Sequence, residues 1–239
     1  MGNVLLLASG KGGSGKSTFA VNLGYAFAAK KKRTLLLDMN IGLRNLDIYT
    51  GLQDKVLFDL GDYFSGTCKL AKALVQSDDD ENLYLLSCPQ FRGIDGLTDQ
   101  HIRMLFSKLR GSFDWILVDA PAGIGSDFCR LTPVCDKALV VLTMDYVSLR
   151  NSDTVNRRLE SLGVEERYYA INRVTPLFWE SNKVPSADAI QSVMKTDLAG
   201  IVPEDPAIHA GNNLGTPACL DEKNYIHQTF ADIAARIAE

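Results

Sequence analysis

Eight residues near the amino end restrict this chain more than any others do. Gly10-Lys11-Gly12-Gly13-Ser14-Gly15-Lys16-Ser17 follows the apolar run Asn3–Ala8 and opens a helical pattern at Lys16. A strand that leads through a glycine turn into a helix must return to its sheet by a crossover, and crossovers make neighbouring strands parallel. The octet also fits G-x-x-x-x-G-K-[ST]. Glycines there let backbone N–H groups close on a phosphate chain, which a Cβ would hold off. The helix behind them offers free N–H donors and a partial positive charge. Gly12, Gly13, Ser14, Gly15 and Thr18 are therefore candidate phosphate contacts. Lys16 is placed to reach the β- and γ-phosphates, and the Ser17 hydroxyl to ligate Mg²⁺.

The same alternation continues along the chain. Thr34–Asp38, Leu83–Ser87, Trp115–Asp119, Ala138–Thr143, Tyr168–Asn172 and Leu198–Val202 are short, continuously apolar runs. Strands covered on both faces look like that. Helices are predicted over about residues 16–30, from just after Thr98 to a stop at Gly111, and over about 148–162, 187–195 and 222–238. The expected fold is α/β, one domain over residues 1–239, with a mostly parallel central β-sheet flanked by helices on both faces. Nearly half of the residues are hydrophobic, enough for one large core.

Lysine plus arginine number 25 against 29 acids, a formal charge of -4. That balance argues against broad capture of nucleic acid, because phosphate neutralisation needs local basic density. Lys30-Lys31-Lys32-Arg33 reads as a solvated helix end favoured by the helix dipole. Five cysteines with no C-x-x-C pair read as reduced, packed thiols of a cytoplasmic protein. Met1-Gly2-Asn3 lacks the basic stretch of a signal peptide. No apolar run approaches the ~20 residues of a membrane span. Asp78-Asp79-Asp80-Glu81 lacks the spacing of a calcium loop and reads as a polar turn.

Two strands end in aspartate, at Asp38 and Asp119. In an open parallel sheet the ligand lies beyond the carboxyl ends of the strands, so both acids point to the edge that carries the glycine loop. Mg²⁺ takes hard oxygen ligands and keeps several waters, which suits an aspartate beside Ser17. Asp119 continues through Ala120-Pro121-Ala122-Gly123-Ile124, a rigid turn whose Gly123 N–H is placed to sense a γ-phosphate. Lys11 is a second lysine inside the loop. It has little room to fold back onto phosphates that Lys16 already holds, but it could reach a nucleotide in a facing subunit. A solvent-exposed charge is the other reading.

Together these residues resemble the MinD/ParA family of deviant Walker A P-loop ATPases, and within it the MinD branch. The resemblance rests on the loop from Lys11 to Thr18 and on Asp38-Met39-Asn40-Ile41-Gly42-Leu43-Arg44-Asn45-Leu46-Asp47. Glu81-Asn82-Leu83-Tyr84, the turn after Asp119, Ser148, Arg150, Ser152-Asp153 and Val202-Pro203-Glu204-Asp205 add to it. It runs from about residue 3 to residue 238. It implies a P-loop NTPase fold and an ATP hydrolase that uses ATP and Mg²⁺. It also implies a homodimer that forms with ATP and separates after hydrolysis, with Lys11 crossing the interface to the partner's phosphates. Lys11, Lys16, Asp38 and Asn40 would be the catalytic set. Ser17, Asp38 and Asp119 would form the Mg²⁺ shell, and Asn172, Pro203, Glu204 and Asp205 would surround the adenine. The process implied is spatial regulation such as division-site placement, with a protein regulator as partner. ParA-like partitioning of DNA or cargo is a second reading, and an ATP-binding scaffold with little turnover a third. Phe178-Trp179 is then a candidate partner contact or a cover for the adenine pocket.

Three departures qualify the resemblance. Asn40 stands where the family carries a second acid that orients the attacking water. An amide can orient water but is a very weak base, so slow hydrolysis and a long-lived ATP-bound dimer are expected, unless Asp47 or Asp145 supplies the acid. Asn151 replaces the acid that usually precedes Ser152-Asp153, near the dimer and regulator surface. The sequence closes on Ala-Ala-Arg-Ile-Ala-Glu without a basic amphipathic tail. A cytoplasmic location is expected, with peripheral membrane binding only where such a tail follows Glu239.

Overall fold

The seven apolar runs become strands, and a short eighth joins them in one sheet. The computed structural model describes residues 1–90, 94, 97–176 and 183–239; Phe178-Trp179 lies outside the described residues. The strands are β1 (Asn3–Ala8), β2 (Thr34–Asp38), β3 (Leu74–Gln76), β4 (Leu83–Leu86), β5 (Trp115–Asp119), β6 (Lys137–Thr143), β7 (Glu166–Val174) and β8 (Asp197–Pro203). Their order is β3-β4-β2-β5-β1-β6-β7-β8. Every pair is parallel except β3 with β4. Strand β3 was not expected, because three residues are too few to show an apolar run.

The described helices are α1 (Lys16–Ala29), α2 (Leu46–Tyr49), α3 (Leu60–Phe64), α4 (Leu70–Ala73), α5 (Asp99–Arg110), α6 (Ser126–Leu131), α7 (Tyr146–Ser161), α8 (Ala187–Met194), α9 (Pro206–Leu214) and α10 (Tyr225–Ala238). The alternation along β1 divides the core. Leu5 and Leu7 face α1 and α10 with Phe19, Leu23 and Phe230. Val4, Leu6 and Ala8 face the other layer with Leu105, Phe106, Leu149 and Ile190. Both faces of the sheet are covered, as the unbroken apolar runs require.

Local chemistry sets the helix ends. Helix α7 starts two residues before the expected position, because the Asp145 carboxylate accepts the Ser148 N–H at 2.7 Å and caps it. Helix α10 starts three residues late, at the Asn224 cap. Gly111 does end α5, but at φ -79, so it acts through its position and not through a left-handed turn. Arg33 places its guanidinium 4.9 Å from the Tyr84 ring centroid and 5.2 Å from that of Phe113, while Lys30 donates to the Ala231 carbonyl. The basic run therefore closes the end of α1 against its neighbours. Among the described residues no helix is long and apolar enough to cross a membrane.

Candidate functional site

Strand register brings the two aspartates together. In the β2–β5 pairing Asp38 lies opposite Asp119, and in the β1–β5 pairing Asp119 lies opposite Leu7, just before the glycine loop. Both carboxylates are fully buried, and Lys16 is nearly so. Two like charges out of water raise each other's proton affinity. Asp119 is pushed up to about 7, first by burial and then by the Asp38 charge, with Lys16, Ser17 and Asn40 opposing. Burial pulls the Lys16 amine down, and the two aspartates resist that. Lys16 is thus the counter-charge of a buried acid pair as well as the candidate phosphate lysine.

The two acids are held differently. Asp38 accepts the Asn40 N–H at 2.9 Å on one oxygen and the Asn45 and Leu46 N–H groups at 2.8 and 3.1 Å on the other. The Cys88 thiol adds a longer contact of 3.5 Å. Asp38 therefore fastens the segment after β2 and the start of α2, and a place in the Mg²⁺ shell would be reached through water. One oxygen of Asp119 accepts from the Ser17 hydroxyl at 2.6 Å and from the Asn40 amide at 2.8 Å. The other is buried without a partner, as is the Ser14 hydroxyl. A buried carboxylate oxygen left unpaired beside a loop serine fits a hard cation, because such a group otherwise carries its full desolvation penalty. Ser17 and Asp119 are the residues that would hold Mg²⁺.

The loop is pinned from β7. Asn172, buried at the strand end, donates to the Ser14 carbonyl at 2.8 Å. Gly15 has φ 101, and a Cβ there would come within 2.1 Å of the Asn172 amide nitrogen. Gly15 is therefore required twice, by its backbone and by its neighbour. Beyond Asn172 a cleft of about 480 Å³ opens, lined by Thr18, Asn172, Pro203, Glu204, Asp205 and Asn212 among others. Asn212 of α9 donates to the Thr18 hydroxyl at 2.9 Å. Four residues expected around the adenine thus share one cleft. The Asp205 carboxylate is engaged within it, capping α9 at the Ala207 N–H and accepting the Tyr225 hydroxyl.

Three expectations need correction. Lys11 is not a free charge: its amine lies 2.7 Å from Asp145, and both side chains are half-exposed. Thr143 and the Ser148 N–H hold the same carboxylate. Burial raises the Asp145 pKa, but the Lys11 hydrogen bond, the Ser148 N–H and Thr143 outweigh it and the net shift is downward. Second, among the described residues neither acid offered as an alternative stand-in for Asn40 hydrogen-bonds to it; the Asn40 side chain donates to Asp119. Asp145 serves Lys11, and Asp47 is buried against Arg44 at 2.6 Å. Third, the Gly123 N–H donates to the Ser9 carbonyl at 2.9 Å, so it does not point at phosphate. Its φ of 84 explains the glycine instead.

Two residues of the site carried no sequence signal. One is Asp145 in its role as the partner of Lys11. The other is Arg173, which borders the cleft beside Asn172. Asn151 lies against the loop, where a Cβ at Gly10 would meet its own at 2.4 Å. A depression of about 400 Å³ beside Gly2, Lys32, Arg33 and Arg110 lies at the opposite, amino ends of the strands. It has no part in the loop chemistry, and Arg110 there is committed to Asp136 and the Gly2 carbonyl.

The raised Asp119 pKa has a definite sign. An unfolded chain releases that proton near 3.8 and the ligand-free fold near 7, so the fold binds the extra proton between them and loses stability as pH rises. Asp119→Asn is expected to flatten that fall. Urea midpoints at pH 5, 6, 7 and 8 for both proteins measure it, and equal slopes would contradict it.

A glycine loop between a central strand and a helix, a lysine and serine at its end, and two aspartates level with it define a P-loop nucleotide-binding protein. A second lysine inside the loop narrows the class. Residues 5–217 match the CobQ/CobB/MinD/ParA nucleotide binding domain, and the chain belongs to that family. The septum site-determining protein MinD of Bacillus subtilis (strain 168) is 34% identical over 239 residues, covering 99% of this chain and 89% of that protein. The MinC:MinD cell division protein complex of Aquifex aeolicus contains a chain of similar structure, with a TM-score of 0.90, 34% identity, and 99% and 95% of the two chains covered. MinD of Pyrococcus horikoshii OT3, solved with Mg-ADP, superposes with a TM-score of 0.89 at 26% identity, covering 100% of this chain and 97% of that one.

Proposed function

We propose that this protein is a MinD-like ATPase that binds Mg·ATP and forms an ATP-dependent homodimer. It would act as a nucleotide-driven switch in spatial regulation such as division-site placement. The observation that carries the reading is Lys11, a lysine inside the phosphate loop that is held at its edge by Asp145. An ion pair at half-exposed positions contributes at most about 1 kcal/mol. The phosphates of a nucleotide in a facing copy carry more charge than one carboxylate and would draw the amine off. Lys16 and the loop N–H groups bind the phosphates of the chain's own nucleotide, and Asn172 with the Pro203–Asp205 turn borders its adenine. Mg²⁺, held at Ser17 and Asp119, would neutralise phosphate charge. The relatives' names support a role at the division septum, and the Aquifex complex of MinC with MinD supports a protein partner for this chain. Asn40 favours slow turnover, and a scaffold that binds ATP without hydrolysing it is the second reading.

Light scattering with Mg·ATP and with Mg·ADP tests the switch. The mass is expected to double with ATP alone, and Lys11→Ala is expected to stay monomeric with either nucleotide. The same mass in all cases would reduce Lys11 to a charged loop residue and leave the scaffold reading.

A further inference from the structure

The amino ends of β1, β2 and β5 meet in a depression of about 400 Å³, at the edge of the sheet opposite the glycine loop. Lys32, Arg33 and Arg110 line it, against one acid, Asp114. Arg110 is already spent: its guanidinium grips both Asp136 oxygens and donates to the Gly2 and Val134 carbonyls. Lys32 and Arg33 are not. Both are exposed, and among the described residues neither side chain has a hydrogen-bond or ion-pair partner.

Arg33 is nevertheless fixed in place. Its N–H donates to an Asp114 oxygen at 2.8 Å, and its carbonyl accepts the Asp114 and Trp115 N–H groups at 2.7 and 3.2 Å. Its guanidinium lies 4.9 Å from the Tyr84 ring centroid and 5.2 Å from that of Phe113, and those rings meet edge to face at 5.4 Å. The rings hold the cation through their π faces and leave its N–H fork unused. A donor fork fixed before binding loses little freedom when an anion arrives. Closing the end of α1 requires the backbone bonds and the rings. It requires neither the open depression nor the unpaired Lys32 beside it.

We propose that this depression is an anion site, separate from the nucleotide loop, that takes a phosphate monoester. The Arg33 fork receives two of its oxygens and the Lys32 amine pairs with the third. A phosphate monoester carries close to two negative charges at pH 7, which matches the two unspent cations of the depression. The chain as a whole has a formal charge of -4, so such an anion is drawn here by local charge and not by the net field. Small metabolites and lipid headgroups both carry this group, and the probes below separate them.

The test titrates phenyl phosphate into the full chain in saturating Mg·ADP, using wild type, Lys32→Gln, Arg33→Gln, Arg33→Lys and Lys31→Gln. Lys31 belongs to the same basic run but does not line the depression. Wild type is expected to bind phenyl phosphate saturably, with no displacement by Mg·ADP. Lys32→Gln and Arg33→Gln are each expected to weaken it about tenfold, the loss of one charge-assisted hydrogen bond. Arg33→Lys, which keeps the charge without the fork, is expected to recover only part of that loss. Lys31→Gln is expected to bind as wild type does. Phenyl sulfate has the same shape and one charge fewer, and is expected to bind wild type about tenfold more weakly. Lys32 has no side-chain partner to lose, so its variant decides the matter even where Arg33→Gln unsettles the Tyr84–Phe113 corner. Vesicles of phosphatidylcholine with and without phosphatidic acid supply the second source. Binding to phosphatidic acid but not to phenyl phosphate, lost in Lys32→Gln and kept in Lys31→Gln, would uphold the site and put its phosphate on a lipid. Equal losses for Lys31→Gln and Lys32→Gln would overturn the proposal, because only diffuse charge would then be at work. Displacement of phenyl phosphate by Mg·ADP, or binding of neither phenyl phosphate nor phosphatidic acid, would overturn it as well.

Discussion

Lys16→Met is expected to destabilise the ligand-free protein by about 3–5 kcal/mol at pH 8, the range for removing one partner from a buried charge pair. Asp38 and Asp119 are fully buried and adjacent, and Lys16 is the cation that opposes both. Methionine keeps the length and the apolar stem of the side chain, so packing loss is small and the charge is what is tested. Without Lys16 the Asp119 pKa rises above its present value near 7. The variant then relieves its buried charge by holding a proton, which is easy at pH 5.5 and costly at pH 8. The stability gap between wild type and variant must therefore widen as pH rises. Denaturant titrations at the two pH values read it directly, and a gap independent of pH would remove Lys16 from the role of counter-charge. ADP affinity is expected to fall by more than about a hundredfold, because the same amine is the loop's one buried cation and, on the proposed reading, is the one that would meet the phosphates. Intact ADP binding would show that the loop does not hold phosphate by its lysine.

What was legible in the sequence follows from how far apart the interacting residues lie. The loop is contiguous, so its composition and its strand–helix context stood in plain order. Asp38 and Asp119 are distant in sequence, yet each ends an apolar run, and the rule that parallel strands present ligands at their carboxyl ends places both without a structure. Nothing comparable announces the Lys11–Asp145 pair, whose members lie 134 positions apart. In the sequence Asp145 enters only as a possible stand-in acid for Asn40, and its cap of α7 too is a finding of the structure. Arg173 was invisible because its distinction is a backbone angle at the end of a strand, and an arginine gives no sign of φ 57. The one-turn helices α2, α3 and α4 are too short to display a helical period. Helix α9 was missed although Asp205, Pro206 and Gly215 mark its cap, first turn and end, because only its Gly211 is fully buried and no apolar stripe draws the eye. The Gly123 correction has a related cause. A glycine in a turn signals backbone freedom, and only coordinates say which carbonyl takes its N–H.

Asn40→Asp is expected to raise the single-turnover rate of ATP hydrolysis by roughly tenfold to a hundredfold, toward what a positioned acid–base group supplies. The Asn40 amide donates to the same Asp119 oxygen that takes the Ser17 hydroxyl, while its backbone N–H binds Asp38. It therefore knits the two strand ends together and adds no charge to a site that already holds two buried carboxylates. An acid at this position would give up that donated bond and set a third carboxyl against Asp119. In the ligand-free protein the loss of a hydrogen bond to a charged group costs about 1.5–3 kcal/mol, and the Asp119 pKa moves further up. Mg²⁺ reverses that balance, because a divalent cation favours added negative charge nearby. The variant is thus expected to be less stable than wild type without ligand, to recover more stability than wild type when Mg·ADP is added, and to form an ATP-bound dimer with a shorter lifetime. Asn40→Ala separates the two roles of the amide, since it removes the bond to Asp119 and supplies no acid; its hydrolysis rate is expected at or below wild type. If Asn40→Asp hydrolyses ATP no faster than the wild-type chain, residue 40 does not set the rate. The amide would then be a brace for the segment between β2 and α2, and the slow step would lie in release of the dimer.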